Sequence, residues 1–267
     1  MRLGFITGGQ LARMMLQALV PLRHDMRVRV LDGSAECPCT GLVDEIVVGK
    51  STDFGAVYEF GKDCDVIILE FEHVNIEALE RLQAEGKRIL CHPADLRIIQ
   101  DKGLQKQFLV ENHIPTAEFR LVQSKAEVSE PELPAVLKTR TQGYDGGGVR
   151  KVTSATELDA AFDAPSVVEA CVDIATEYSL ILGRDAQGQT FRYPVAEQEF
   201  HPDAHLVHFI AAPAELKPAV AEQIERIGDQ ILAAFAETGM WAVELFLTTG
   251  GAVLVNEIAP RVHNRGH

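Results

Sequence analysis

No apolar run in the sequence reaches the ~18 residues a helix needs to cross a bilayer. The N-terminus has no apolar signal core and no cleavage site, so no signal peptide is read there. Cations are scarce: 25 Lys and Arg stand against 39 Asp and Glu, for a net charge of -14. Nucleic-acid binding needs clustered Lys and Arg, so that role is excluded, whereas a local pocket for a small phosphate ligand stays open. The five cysteines (Cys37, Cys39, Cys64, Cys91, Cys171) are odd in number and scattered. Cys37-Pro38-Cys39 is too tight for a zinc knuckle and has no second Cys/His pair to complete it. Reduced thiols, a cytoplasmic location and no membrane partner are expected. There is no low-complexity stretch, and 46% hydrophobic residues give the balance of a globular protein. At 267 residues, two or three subdomains are expected.

The first part of the chain alternates strand and helix. Leu3–Ile6, Val28–Asp32, Glu45–Val48, Asp65–Leu69 and Arg88–Cys91 read as strands, with helices over Gln10–Leu19 and Asn75–Glu85. This rhythm predicts an open, doubly wound parallel sheet. After Pro93 a single helix is expected from Ala94 to Asn112. Strands near Glu118–Val122 and Ala135–Thr139 flank a glycine-rich loop, Gln142–Gly148. The remainder reads mainly as strand: Ser166–Val172, Glu177–Leu182, Thr190–Glu197 and Leu206–Ala211. Leu216, Val220, Ile224, Ile227, Ile231 and Phe235 recur at helical spacing, the stripe of a helix packed on a sheet. Trp241–Thr248 and Ala252–Ile258 read as a hairpin joined by a two-residue turn at Gly250-Gly251.

Four places carry candidate chemistry. Gly8-Gly9-Gln10 lies at a strand-to-helix turn, where a helix N-terminus favours an anion; a plain tight turn is the alternative. Asp32, ending the second strand, suits a ribose hydroxyl, which keeps an NAD-binding module open. Lys138 precedes a loop with Gly143, Gly146, Gly147 and Gly148 around Tyr144-Asp145, the composition of a phosphate-covering flap or of a flexible surface hairpin. A lysine inside an apolar strand points to an anion, because burying an unpaired ammonium is costly. Counting outward from the expected turn sets Glu244 opposite Glu257, about 4.5–5.5 Å apart at Cβ, where like charges repel. Mg²⁺ with substrate phosphates relieves this; a solvated rim position is the alternative. The tail Asn256–His267 gathers two arginines and two histidines, as an oxyanion site or as a frayed basic end.

The set resembles the N5-carboxyaminoimidazole ribonucleotide synthases of the ATP-grasp superfamily. Asn256-Glu257-Ile258-Ala259-Pro260-Arg261-Val262-His263-Asn264 is similar to their closing signature, and Gly143-Tyr144-Asp145-Gly146 to their flap. Gly8-Gly9-Gln10-Leu11 with Arg13-Met14, Asp101-Lys102 with Gln105-Lys106, and Glu70-Phe71-Glu72 also fit. The resemblance implies an α/β chain: a Rossmann-like domain at 1–91, a small ATP-grasp lobe at 92–169 and a large lobe with the metal site at 170–267. It implies an ATP-dependent carbon–nitrogen ligase of purine biosynthesis. Such an enzyme carboxylates 5-aminoimidazole ribonucleotide with bicarbonate through carboxyphosphate, with ATP and Mg²⁺, as a homodimer.

By the same resemblance Lys102, Lys138, Gly143, Tyr144, Gly146, Gly148 and Asn256 meet ATP, with Lys102 where an Arg is common. Glu169, Ala170, Cys171 and Val172 line the adenine pocket, Glu177 holds the ribose, and His201 lies nearby. Glu244 and Glu257 ligate Mg²⁺. Gly9, Gln10, Glu72 and Tyr144 face the aminoimidazole ribonucleotide, while Asp145, Arg261, His263 and Asn264 carry the catalytic roles. The sequence departs from the pattern at Gly147, where Lys or Arg is usual, and at Arg265, where Ser is. The family's further C-terminal domain is absent from the expected architecture. A nucleotide-binding protein with little turnover is therefore the second reading.

Overall fold

The computed structural model describes residues 1–141, 147–200, 207–235 and 237–262. Five strands open the chain: β1 (Arg2–Ile6), β2 (Arg27–Asp32), β3 (Glu45–Val48), β4 (Val66–Leu69) and β5 (Arg88–Leu90). All their pairings are parallel, in the order β3-β2-β1-β4-β5. Chain order reverses at β1, which opens a crevice beyond the carboxyl ends of β1 and β4, the place where such sheets bind ligands. Helix α1 (Gln10–Leu19) buries Ala12 and Leu16 on one face, against Phe5, Val28 and Val30. Helices α2 (Phe54–Lys62) and α3 (Ile76–Ala84) cover the other with Val57, Phe60, Leu79 and Leu82. Sequence reasoning does not anticipate α2. Gly55 and Gly61 weaken its propensity, so its start rests on the Asp53 carboxylate, which accepts from the Ala56 amide at 2.7 Å.

The single helix expected from Ala94 to Asn112 is two, α4 (Pro93–Ile99) and α5 (Lys102–Glu111). The Asp101 carboxylate accepts from the Gly103 and Leu104 amides, so it caps and begins a new helix. At the break, the Gln100 amide donates to the carbonyls of Glu72 and Val74 and ties the chain to the first sheet.

Strands β6 (Phe119–Val122), β7 (Ala135–Thr139), β8 (Val149–Val152) and β9 (Ser166–Ala170) form an antiparallel sheet, β6-β9-β7-β8, with the short α6 (Ala155–Asp159) after β8. A second antiparallel sheet contains β10 (Ile174–Arg184), β11 (Thr190–Arg192), β12 (Ala196–Phe200), β13 (Val207–Ala211), β14 (Gly239–Thr248) and β15 (Val253–Ala259). Its order is β13-β12-β10-β14-β15, with β11 beside β10. The one strand expected over Thr190–Glu197 is divided between β11 and β12 at Pro194, which has no N–H to give to a ladder.

Helix α7 (Pro218–Ala234) lays Val220, Ile224, Ile227 and Ile231 on the second sheet against Leu180, Leu182, Trp241 and Val243. Helix α5 joins this core. Phe108 stacks on Phe235 at 4.6 Å and Phe235 on Trp241 at 5.1 Å between ring centroids. Each such pair adds about 0.5–1.5 kcal/mol beyond its buried area. The outer edge of β15 is also engaged. Val255 donates its amide to the Pro115 carbonyl and accepts from Thr116 Oγ1, and Ile258 exchanges two hydrogen bonds with the buried Gln105 side chain. These contacts bring the N-terminus of α5 to the end of β15.

Candidate functional site

The hairpin sets the geometry. Its loop has three residues, Thr249–Gly251, not two: Thr248 donates its amide to the Ala252 carbonyl, and Gly251 sits at φ +85°, the left-handed position that glycine reaches without strain. The longer loop shifts the register by one, so Leu247 faces Val253 and Leu245 faces Val255, not the partners expected. A bulge then restores the count. Asn256 is an extra residue on β15, and beyond it Glu244 pairs with Glu257. Asn256 therefore shares this face, where its amide donates to Glu244 Oε2 at 3.2 Å and its Oδ1 accepts from Lys138 Nζ at 2.8 Å.

Two lysines approach from different elements. Lys102, the first residue of α5, lies 2.5 Å from Glu257 Oε1. Burial pushes the Glu257 carboxyl up, but Lys102, with Lys138 and Arg261, outweighs it and holds the group below the usual carboxylate range. Lys138 sits on β7. Alternation along that strand turns Ala135 and Leu137 into the core of the small sheet and Lys138 to the opposite face. There it meets Glu169 of β9, Nζ to Oε2 at 3.0 Å. Glu169 also lies 3.2 Å from Lys106 Nζ, an ion pair without aligned hydrogen-bond geometry. Burial lowers the Lys106 ammonium to about 8, with Glu169 opposing that shift.

Among the described residues no three His, Cys, Asp or Glu side chains gather to hold a metal by themselves. Two carboxylates and an amide oxygen are hard donors that suit Mg²⁺ when a bound phosphate supplies further oxygens. The Lys102 ammonium on Glu257 already shows that this carboxylate takes a cation. The donor set fits the expected metal.

Sequence reasoning placed Gln105-Lys106 in the family resemblance without a role of their own, and gave none to Thr116 or Arg140. The Arg140 guanidinium grips both oxygens of Asp101, at 2.9 and 2.6 Å, and its carbonyl accepts from the Lys102 amide. The end of β7 is thus locked to the start of α5, and Lys102 is fixed between them. A capping Asp directly before Lys102 was the available signal.

The first sheet contributes the other wall. Glu72, just beyond β4, pairs with Arg261, Nε to Oε2 at 2.6 Å, and the guanidinium lies 5.8 Å from the Phe71 ring centroid. Expected substrate and catalytic residues, 189 positions apart, are therefore in contact. Gly9 and Gln10 stand at the start of α1. A Cβ on Gly9 would meet Glu70 Oε1 at 2.4 Å, so glycine is there to admit that carboxylate. Glu70 in turn accepts from Thr7 Oγ1 at 2.7 Å. Asp32 accepts from the Gly8 and Ser34 amides, one on each oxygen, and so braces the turn after β1.

Ala170 ends β9 and leads into the half-buried Cys171 and Val172; Glu177 follows on β10, and Gly148, at φ +80°, precedes β8. Gly143, Tyr144, Asp145, Gly146, His201, His263 and Asn264 lie outside the described residues.

Comparison with known proteins agrees with this geometry. Residues 1–100 match the ribonucleotide synthetase preATP-grasp domain, and residues 107–267 match the ATP-grasp domain. The N5-carboxyaminoimidazole ribonucleotide synthase of Brucella melitensis is 35% identical over 275 residues, covering 99% of this chain and 75% of that protein. The chain belongs to the N5-carboxyaminoimidazole ribonucleotide synthase family of ATP-grasp proteins. Another relative, the phosphoribosylaminoimidazole carboxylase of Ogataea methanolica, is 33% identical over 99% of this chain. The chain spans about half of that protein's length (50%). The Aspergillus clavatus synthase, solved with ADP and 5-aminoimidazole ribonucleotide, superposes with a TM-score of 0.86 at 29% identity, covering 100% of this chain and 71% of that one. In this synthase-family chain the crevice of the first sheet and the lysine–carboxylate cluster meet at Glu72 and Arg261. No helix among the described residues is long and apolar enough to cross a membrane.

Proposed function

We propose that this chain catalyses the ATP-dependent carboxylation of 5-aminoimidazole ribonucleotide by bicarbonate, through carboxyphosphate, to N5-carboxyaminoimidazole ribonucleotide in purine biosynthesis. The observation that carries the proposal is the convergence of Lys102, Lys138, Asn256, Glu244 and Glu257 from α5, the small sheet and the hairpin. Mg²⁺ bound by Glu244 and Glu257 would neutralise charge on the ATP phosphates. Lys102 and Lys138 would grip phosphate oxygens, Lys102 by turning from Glu257 toward the phosphates. Glu169, Ala170, Cys171 and Val172 would line the adenine pocket and Glu177 the ribose, with His201 near them. Gly143, Tyr144, Gly146 and Gly148 would close over the nucleotide.

Gly9, Gln10, Glu72 and Tyr144 would hold the aminoimidazole ribonucleotide. Arg261 would stabilise negative charge on the bicarbonate oxygens, with Asp145, His263 and Asn264 completing the catalytic group. A charge-assisted donor aimed at developing oxyanion charge is commonly the largest single contribution in acyl-type transfer. The division into 1–91, 92–169 and 170–267, a homodimeric state, a cytoplasmic location and small molecules as the partners belong to the same proposal.

The test is a steady-state assay of ADP release with and without aminoimidazole ribonucleotide, alongside incorporation of labelled bicarbonate. ADP release that rises with the ribonucleotide and matches incorporation supports the ligase. Mg²⁺-dependent ADP binding without incorporation would leave the second reading, a nucleotide-binding protein with little turnover, to which Gly147 in the flap points.

A further inference from the structure

Glu169 stands between two ammonium groups, with its side chain 5% exposed. One negative charge is set against two positive ones, so the trio carries a net positive charge that a phosphate would complement. The two lysines differ in what else they touch. Lys138 is the cation of β7, turned away from the core of the small sheet, and its second acceptor is Asn256, which itself reaches Glu244. It belongs to the face that meets the nucleotide. Lys106 is on the second turn of α5 and its side chain is 4% exposed. Its second acceptor is Thr116 Oγ1 at 2.6 Å, whose proton goes to the Val255 carbonyl at 2.7 Å. That chain ends in backbone and holds Lys106 in place.

A carboxylate this buried cannot be left without a partner, because removing one member of a buried ion pair leaves an uncompensated charge. Were Lys138 the sole counter-ion of Glu169, its departure toward a phosphate would strand that charge. We infer that Lys106 is a positioning residue: the standing counter-ion of Glu169, which lets Lys138 leave the carboxylate for a nucleotide phosphate without unpairing a buried charge. The inference rests on the nucleotide reading of this site. Its consequence is specific. Without Lys106, Lys138 is retained on Glu169, and the protein loses its grip on phosphates while the surroundings of the adenine remain.

The experiment compares ADP with adenosine on the full chain, ADP by calorimetry and adenosine by ligand-observed NMR, in wild type and in Lys106→Met. The wild-type preference for ADP over adenosine should fall about tenfold in Lys106→Met, the scale of one charge-assisted contact, and Lys138→Ala should match it. A merely structural role would lower the melting temperature and leave the preference unchanged, and that result overturns the inference. Where Lys106→Met does not fold, Lys106→Met/Glu169→Gln leaves no unmatched buried charge and is measured beside Glu169→Gln alone. Equal ADP preference in those two supports the inference, since Lys138 is already released in both. A preference about tenfold lower in the double variant overturns it. A wild-type chain without affinity for ADP would instead remove the nucleotide reading itself.

Discussion

Glu244 and Glu257 face one another across the β14–β15 hairpin because Asn256 is an extra residue between Val255 and Glu257. Without the bulge, Glu244 would face Asn256, and Glu257 would move one position along the ladder, to a place opposite Val243. The side-chain period of a strand is two, so a one-residue slip exchanges its faces. The pair is therefore a product of backbone irregularity as much as of the two glutamates.

Glu257→Gln should abolish the Mg²⁺-dependent part of ADP affinity while the fold survives, since Gln keeps the shape and the neutral amide removes the charge that draws a cation. Calorimetric titrations with Mg²⁺ and with a chelator measure the difference. An unchanged Mg²⁺ dependence would remove the metal assignment.

Asp101 has two separable tasks, capping α5 and gripping Arg140. Asp101→Ala loses both, Asp101→Asn only the charge. The cap alone is worth about 1 kcal/mol. Denaturant unfolding should therefore rank wild type, then Asp101→Asn, then Asp101→Ala. Both variants should weaken ADP binding, because Lys102 is no longer fixed. Equal stability in the two variants would show that the cap contributes nothing.

Gly9 has φ -74°, which any residue tolerates, and the nearest atoms a side chain there would meet are those of the Glu70 carboxylate. Gly9→Ala should cost about 0.5–1.5 kcal/mol, the scale of one hydrogen bond, because Glu70 must swing aside and release Thr7. Adding Glu70→Ala should recover most of that loss in a double-mutant cycle of chemical unfolding. Additive losses would place the obstruction elsewhere.

Asp95 is pushed up to about 6 by burial, with His92 opposing and Glu237 adding, and its Oδ2 has no hydrogen-bond partner among the described residues. Its folded value lies above the unfolded carboxylate value of about 3.9. The native state therefore holds that proton more tightly, and stability from the neutral form is lost as pH rises from about 4 through 6. Asp95→Asn should raise the melting temperature at pH 7.5 and change it little at pH 4. Thermal scans at the two values decide; a larger gain at pH 4 would reverse the assignment.

The open sheet was legible because β1, β2 and β4 are short apolar runs closed by turns or polar residues, and α1 begins directly after Gly8-Gly9. The facing of Glu244 and Glu257 was legible for a less secure reason. The turn was read one residue too short, and the bulge at Asn256 offsets that error by one residue in the other direction. A bulge has no local sequence mark here, so the two deviations could not be separated. Lys106 was invisible as a buried ion. On α5 it reads as one more solvated helix lysine, and only the approach of β9 and Thr116 from elsewhere in the chain removes it from water. The Arg261–Glu72 contact depends on how the first sheet meets the hairpin, which no local pattern encodes.

The hydrogen bonds along the outer side of β15 have a further consequence. A strand at the border of a sheet offers a row of open amides and carbonyls on which another chain can build. Here Pro115, Thr116 and the Gln105 side chain fill those places at Val255 and Ile258. A second copy cannot extend the sheet past β15 at these positions without displacing Gln105 and the segment before β6. Self-association through strand addition is thereby blocked beside the glutamate pair, and the homodimer proposed above would use another surface.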